Sequence, residues 1–286
     1  MKLGVVFPHD VVLDDTVALR AFLDAVVASG FAYVIVSDHV IAADPAVHTD
    51  WPGPYDLTRA TLEPAVALGF LAAWGELELA SGIIVLPTRS AALVAKQAAT
   101  LDRLTEGRFR LGVGLGWSPV EFEAMGAPWP ERGARAEEQI EVMRRLWTEQ
   151  SVTFEGRFHQ LHGGGLNPRP HASIPVWVAT TDARPALERV GRVGNGWMPA
   201  ITPGPELDRA RDIVFSAAEA AGRDPVHIGL EGTVHVVDDD VDRAIEGLER
   251  WRAAGATHVA FSLDAPTSAE RVTTMEAISR ALADWQ

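Results

Sequence analysis

The chain has 286 residues, 47% of them hydrophobic, a formal net charge of −14 and no cysteine. That charge argues against a nucleic-acid backbone or an anionic membrane as partner, so an anionic ligand has to be held by a local feature against the global field. Disulfides, thiol nucleophiles and thiolate metal sites are excluded, and no apolar run approaches the ~20 residues of a membrane span, which makes a cytoplasmic location the expectation.

Read from the start, LGVVFP (3–8) is a strand leaving into a loop at Pro8-His9-Asp10 rather than a secretory leader. A helix follows with Leu19, Phe22, Leu23 and Val26 on one face and Gly30 as its stop. YVIVSDHV (33–40) is a second apolar strand ending in Ser37-Asp38-His39, and 41–57, rich in Pro, Asp and Gly, is a long loop. A helix is predicted near 60–74. Residues 77–117 then give an apolar strand ending in Leu86-Pro87, a helix and a second buried strand, FRLGVGLG. In that helix Val94, Ala98, Leu101 and Leu104 form one stripe, and Gly107 sits where a C′ glycine belongs.

A helix over 131–150 places Ala136, Ile140, Met143 and Trp147 at helical spacing. Asp102-Arg103 and Glu137-Glu138 read as solvated helix faces. Residues 151–175 lack a period and carry three consecutive glycines with Pro168, Pro170 and Pro175, so they read as an excursion with a short hairpin around Glu155-Gly156. Strands follow at 175–180, 196–199, 226–237 and 257–263, with helices at 183–192, 205–221, after Asp238–Asp240, and at 267–284. Eight strand–helix units without a linker predict a single α/β domain over 1–286, a (β/α)₈ TIM barrel, which typically needs ~250 residues. The active site of such a barrel lies at the C-terminal ends of its strands.

Those ends nominate the chemistry. They fall at His9, at Ser37-Asp38-His39, near Ser81-Gly82-Ile83 or a little later, at Gly114 to Trp117, at Thr180-Thr181-Asp182, at Trp197-Met198-Pro199, and near Glu231 or His235. Asp38 and His39 point to opposite faces of their strand, and an imidazole at a strand mouth can give or take a proton near neutral pH. The alternative is an Asp capping a turn beside a packed His. Thr180-Thr181 ahead of a helix can form an anion site, the alternative being plain N-capping by Thr181 or Asp182. GVGLG (112–116) is a poor match to a dinucleotide glycine loop and better suits close approach of a flat ring to the backbone. The nine histidines are scattered, and no metal site is predicted.

GVVFP, SDH, ALVAKQAATLDRLTEGRFRLGVGLGW, VWVATTDA and GNGWMP together resemble the bacterial luciferase-like superfamily, most of all its branch of coenzyme F420-dependent oxidoreductases. The resemblance implies a non-prolyl cis peptide in a bulge behind the cofactor ring, at Gly82–Ile83 or at Ser81–Gly82. It implies a cofactor phosphate at Thr180-Thr181, Gly114 and Leu115 along the ring edge, and Asp38-His39 on the substrate side. The implied reaction is hydride transfer between a deazaflavin and a small organic substrate, with His39 as first choice for the proton and His9 as second. Where sugar-phosphate dehydrogenases of the family carry an acidic residue and a tryptophan, this chain has Trp117 and Ala43, so an apolar or aromatic substrate is expected. Trp51 and His159, on the two long loops, are expected to close over it. The resemblance also implies a homodimer and a separate reductase supplying reduced cofactor. The alternatives are a reduced-FMN monooxygenase on the same fold and a non-catalytic flavin-binding protein.

Overall fold

Short apolar strands, each answered by an amphipathic helix, close on themselves in the computed structural model, which describes residues 1–10, 16–51, 53 and 55–283. In chain order the elements are β1 (Lys2–Val6), α1 (Thr16–Ala28), β2 (Tyr33–Val36), α2 (Pro64–Leu71), β3 (Glu78–Ser81), β4 (Ile84–Val85), α3 (Ala91–Leu104) and β5 (Phe109–Gly114). Then come α4 (Pro119–Ala124), α5 (Arg132–Thr148), the hairpin β6 (Val152–Glu155) and β7 (Gln160–Gly164), β8 (Val176–Thr180), α6 (Arg184–Val193) and β9 (Gly196–Pro199). The chain finishes with α7 (Pro205–Ala220), β10 (Gly229–Val236), α8 (Val241–Ala253), β11 (His258–Leu263) and α9 (Ser268–Ala283).

All barrel pairings are parallel, in the order β3-β2-β1-β11-β10-β9-β8-β5, and pairing of β3 with β5 through Leu79↔Phe109 and Ala80↔Arg110 closes the ring. β4 carries the line of β3 onward against β5. Counted with β3 as one interrupted stave, the barrel has eight, as the alternation predicts. The helical stripes around Phe22, Leu101, Ile140 and Leu248 bury against its outer face. No helix among the described residues is long and apolar enough to cross a membrane.

Several boundaries differ from the sequence reading. The helix predicted near 60–74 spans only Pro64–Leu71, because Pro64 starts it and Glu63 caps it by accepting the Val66 N–H at 2.8 Å. Leu104, placed on the buried stripe of α3, is exposed at that helix's end. Asp102 is buried, not solvated, and accepts the His171 N–H at 2.6 Å. Glu138 accepts the N–H groups of Arg157, Phe158 and His159 and so moors the hairpin to α5, while Glu137 pairs with Arg189 and Arg192.

The lower interior of the barrel is filled. Arg110 lies between the rings of Tyr33 and Trp177, at 4.9 and 4.5 Å from their centroids, and forms a buried pair with Glu231. Glu231 therefore belongs to this lower layer, level with His258 at the base of β11, so of the two positions expected for the mouth of this strand, Glu231 and His235, it is not Glu231. A filled base leaves the upper end as the open one.

Just above, β3 and β5 are pinched together. Ser81 Oγ donates to the Gly112 carbonyl at 2.8 Å and accepts the Gly112 N–H at 2.9 Å. A Cβ on Gly112 would stand 1.9 Å from the Ser81 carbonyl oxygen, a backbone atom that cannot swing away. Gly112→Ala is thus expected to destabilise the protein by about 3 kcal/mol, the upper end for overpacking. Urea denaturation reads this directly; an unchanged midpoint would show that the pinch is slack.

Candidate active site

At the open end, the ends of the strands line one cavity of about 570 Å³. Its walls include Asp38, His39 and Tyr55 on one side, Gly82, Ile83 and Gly114 to Trp117 at the back, and Thr180, Thr181 and Ala186 on the other side. Trp129, Arg132, Met198 and Thr233 also line it. A groove of similar size, between α6 and α7, is lined by Arg184, Glu188 and Arg192, which are paired with one another or with Glu137. The cavity at the strand mouths is the one with chemistry in it.

His39 is the imidazole in that wall. Its Nδ1 lies 3.1 Å from Glu121 Oε2, and Glu121 Oε1 accepts the Val40 N–H at 2.9 Å. Both side chains are almost fully buried, at 10% and 3% exposure. Glu121 sits in α4, whose N-cap Ser118 accepts the Glu121 N–H at 3.2 Å. The His39 carbonyl accepts from Thr61, and its ring packs on Tyr55 with centroids 3.9 Å apart. Nδ1 is thus engaged, and Nε2 is left without a partner among the described residues. A carboxylate behind an imidazole fixes ring and tautomer, which is what a group shuttling one proton needs.

Asp38, predicted beside His39 as a catalytic and cofactor-side residue, stands in the wall with its carboxylate engaged by the protein. Its carboxylate receives Arg89 at 2.7 and 3.2 Å and the Val85 N–H at 3.0 Å, and its side chain is 0% exposed. Burial pushes its carboxyl above the ordinary value, against the Arg89 guanidinium and the Val85 N–H, which pull it down. With both oxygens engaged, Asp38 ties the end of β2 to the segment after the Gly82–Ile83 bond. That bond is cis, at the position the resemblance favoured.

His9, second choice for the proton, does not line the cavity. Its Nδ1 accepts the Leu62 N–H at 2.9 Å, which leaves Nε2 as the N–H facing Ser37 Oγ at 2.9 Å, so both nitrogens are used. Burial lowers its pKa to about 4, and burial followed by the Arg110 charge does the same to His258 at the barrel base. Both imidazoles are neutral in the fold, while the unfolded chain takes up protons below pH 6.5. Their stabilisation is complete above pH 6.5 and is lost as pH falls toward 4, by roughly 2 kcal/mol each at pH 5. The melting temperature should therefore drop between pH 6.5 and 5, and His258→Gln, which cannot gain a proton, should flatten that slope. A melting temperature that holds or rises on acidification contradicts the assignment.

Of the other predicted residues, Gly82, Ile83, Gly114, Leu115, Trp117, Thr180 and Thr181 all line the cavity. The Thr180 hydroxyl accepts the Trp197 indole N–H at 2.8 Å, whereas Thr181 is exposed. Ser81 does not reach the cavity because its hydroxyl bridges to Gly112. His159 does not reach it either; it is turned to Glu138 Oε1 at 2.8 Å. Trp51 packs on Trp117 with centroids 5.2 Å apart, forming an outer layer, and Trp117 lies against Gly53, where a Cβ would meet its ring.

The sequence reading missed Glu121, Tyr55, Arg89, Trp129 and Arg132. Ser118-Pro119-Val120-Glu121 has the S-x-x-E form that marks a helix start, with Pro at the first turn. Reading that signal would have found α4 and its buried carboxylate.

The family model described as luciferase-like monooxygenase matches residues 1–284. An F420-dependent glucose-6-phosphate dehydrogenase of Beutenbergia cavernae is 31% identical over 266 residues, which is 90% of this chain and 75% of that protein. An F420-dependent secondary alcohol dehydrogenase, solved with an F420-acetone adduct, superposes with a TM-score of 0.79 at 19% identity over 97% of both chains. The monooxygenase RslO1 of Streptomyces bottropensis superposes at 0.73 with 23% identity over 100% of this chain and 99% of its own.

Proposed function

The chain belongs to the luciferase-like monooxygenase family, and from that premise we propose that it is an F420-dependent oxidoreductase acting on a small apolar or aromatic substrate. The observation that carries the proposal is the His39–Glu121 pair in the wall of an aromatic-sided cavity. The F420-dependent relative supports the choice of cofactor. A cavity of about 570 Å³ suits a ligand of cofactor size, and at its back Gly114 keeps the backbone low, since a Cβ there would strike Ile83 at 2.7 Å.

Bound there, the deazaflavin would supply the hydride chemistry. The chain's own residues do the rest. Ile83 and Gly114 form the flat back wall. Thr180 and Thr181 offer hydroxyl and backbone donors to the phosphate. Trp117 and Tyr55, with Trp51 behind, hold the substrate's apolar body and exclude water. His39, oriented by Glu121, gives or receives the proton at Nε2. Asp38 and Arg89 position that assembly from below. A separate reductase renews the reduced cofactor.

The fold likeness to RslO1 favours a second reading, a reduced-FMN monooxygenase using the same walls. A non-catalytic flavin-binding protein fits less well, because binding alone does not call for a carboxylate buried behind an imidazole. Reduced F420 and reduced FMN, each mixed with apolar ketones, aldehydes and enones under air, separate the readings. Substrate-dependent reoxidation of F420 without extra oxygen uptake is expected; oxygen uptake tied to substrate with FMN alone would establish the monooxygenase.

A further inference from the structure

We propose that the Tyr55 hydroxyl is a hydrogen-bond donor to an oxygen of the substrate, which narrows the substrate class to carbonyl compounds and the alcohols they form. This rests on the reading that the cavity is the substrate site of an oxidoreductase. Tyr55 lies on the long loop after β2, yet its place is fixed. The next residue, Asp56, forms a parallel bridge with Ala43, and the Leu57 N–H donates to the Ala43 carbonyl at 3.2 Å. Asp56 Oδ1 also accepts the Thr58 N–H at 2.8 Å and the Thr58 hydroxyl at 2.6 Å, a side-chain turn that closes this arm of the loop. Held in this way, the Tyr55 ring lies over His39 with centroids 3.9 Å apart and planes tilted by 31°. Trp117 meets the His39 ring at 5.7 Å and 70°, and all three side chains line the cavity.

A phenol hydroxyl can give one hydrogen bond, and a buried tyrosine usually finds a partner for it. Tyr55 is half-buried, and its hydroxyl has no partner among the described residues. The carboxylates beside His39 are committed elsewhere: Asp38 to Arg89 and the Val85 N–H, Glu121 to His39 and the Val40 N–H. Two protic groups, His39 Nε2 and the Tyr55 hydroxyl, therefore stand stacked in one wall beside the apolar face of Trp117. That wall suits a compound with an apolar body and one oxygen acceptor, and a carbonyl oxygen has a lone pair for each group. Tyr55 binds and polarises the oxygen while keeping its own proton, and His39 remains the proton-transfer group.

The test compares acetophenone with α-methylstyrene, a planar analogue in which a methylene replaces the oxygen. Affinities are measured by ligand-observed NMR titration of wild type and Tyr55→Phe, each loaded with whichever oxidised cofactor it binds, F420 or FMN, or unloaded if neither binds. Wild type should prefer acetophenone by roughly tenfold, the effect of one or two hydrogen bonds. Tyr55→Phe, which keeps the stack on His39, should cut that preference to about a third or less by weakening acetophenone alone. An unchanged preference, equal weakening of both probes, or a wild type that shows no preference or binds neither probe would overturn the proposal. The loading step judges the cofactor separately. FMN bound in place of F420 would refute the F420 reading, while the probe pair would still decide the role of Tyr55.

Discussion

Replacing His39 by alanine is expected to lower turnover by ~10²–10⁴-fold, the range for loss of a positioned proton-transfer group, while cofactor affinity changes little. The ring's Nδ1 is engaged by Glu121 at 3.1 Å, and Nε2 is the nitrogen left for chemistry. Glu121 acts through His39, so its effect should not add to that of His39. Glu121→Gln alone should reduce kcat by roughly tenfold with the cofactor Kd preserved, and the double variant should be no slower than His39→Ala. A Glu121 that merely packs would instead add its own loss to the double variant. Full turnover in His39→Ala would remove the catalytic assignment altogether.

The second large effect concerns the pair below the site. Arg89→Met would leave the fully buried Asp38 carboxylate with only the Val85 N–H, and breaking a buried pair from one side typically costs about 3–5 kcal/mol. The loss should appear in urea denaturation, and activity should fall with it, because Asp38 neighbours His39 and grips the segment after Ile83. Asp38→Asn, which removes the charge and keeps the shape, should cost less than Arg89→Met. A change below about 1 kcal/mol in Arg89→Met would mean that the pair is not holding the site together.

The barrel was legible because its period is coarse and its stops are chemical. Gly30 and Gly255 end helices with positive φ, and the faces of Leu19 to Val26 and of Ala136 to Trp147 bury as their spacing predicts. Within the site, His39, the Gly82–Ile83 bulge and the Thr180-Thr181 turn could be placed because each stands at a strand end. What stayed hidden was pairing across the chain. Asp38 and Arg89 are 51 residues apart and His39 and Glu121 are 82, so neither partner announces the other locally. His9 and His159 show the converse. A histidine near a strand mouth or on a long loop looks available until Leu62 or Glu138 is seen to occupy its nitrogens. Asp102 and Glu138 misled in the same way, since a charged pair on a helix looks solvated unless the 151–175 excursion is known to fold back on it.

The most direct test of the F420 assignment is an anaerobic titration of the purified protein with F420 and, separately, with FMN, followed by fluorescence and absorbance. Tight binding of F420, weak binding of FMN, and F420 binding that survives His39→Ala are expected. Tight FMN binding with weak F420 binding, or binding of neither, would contradict it.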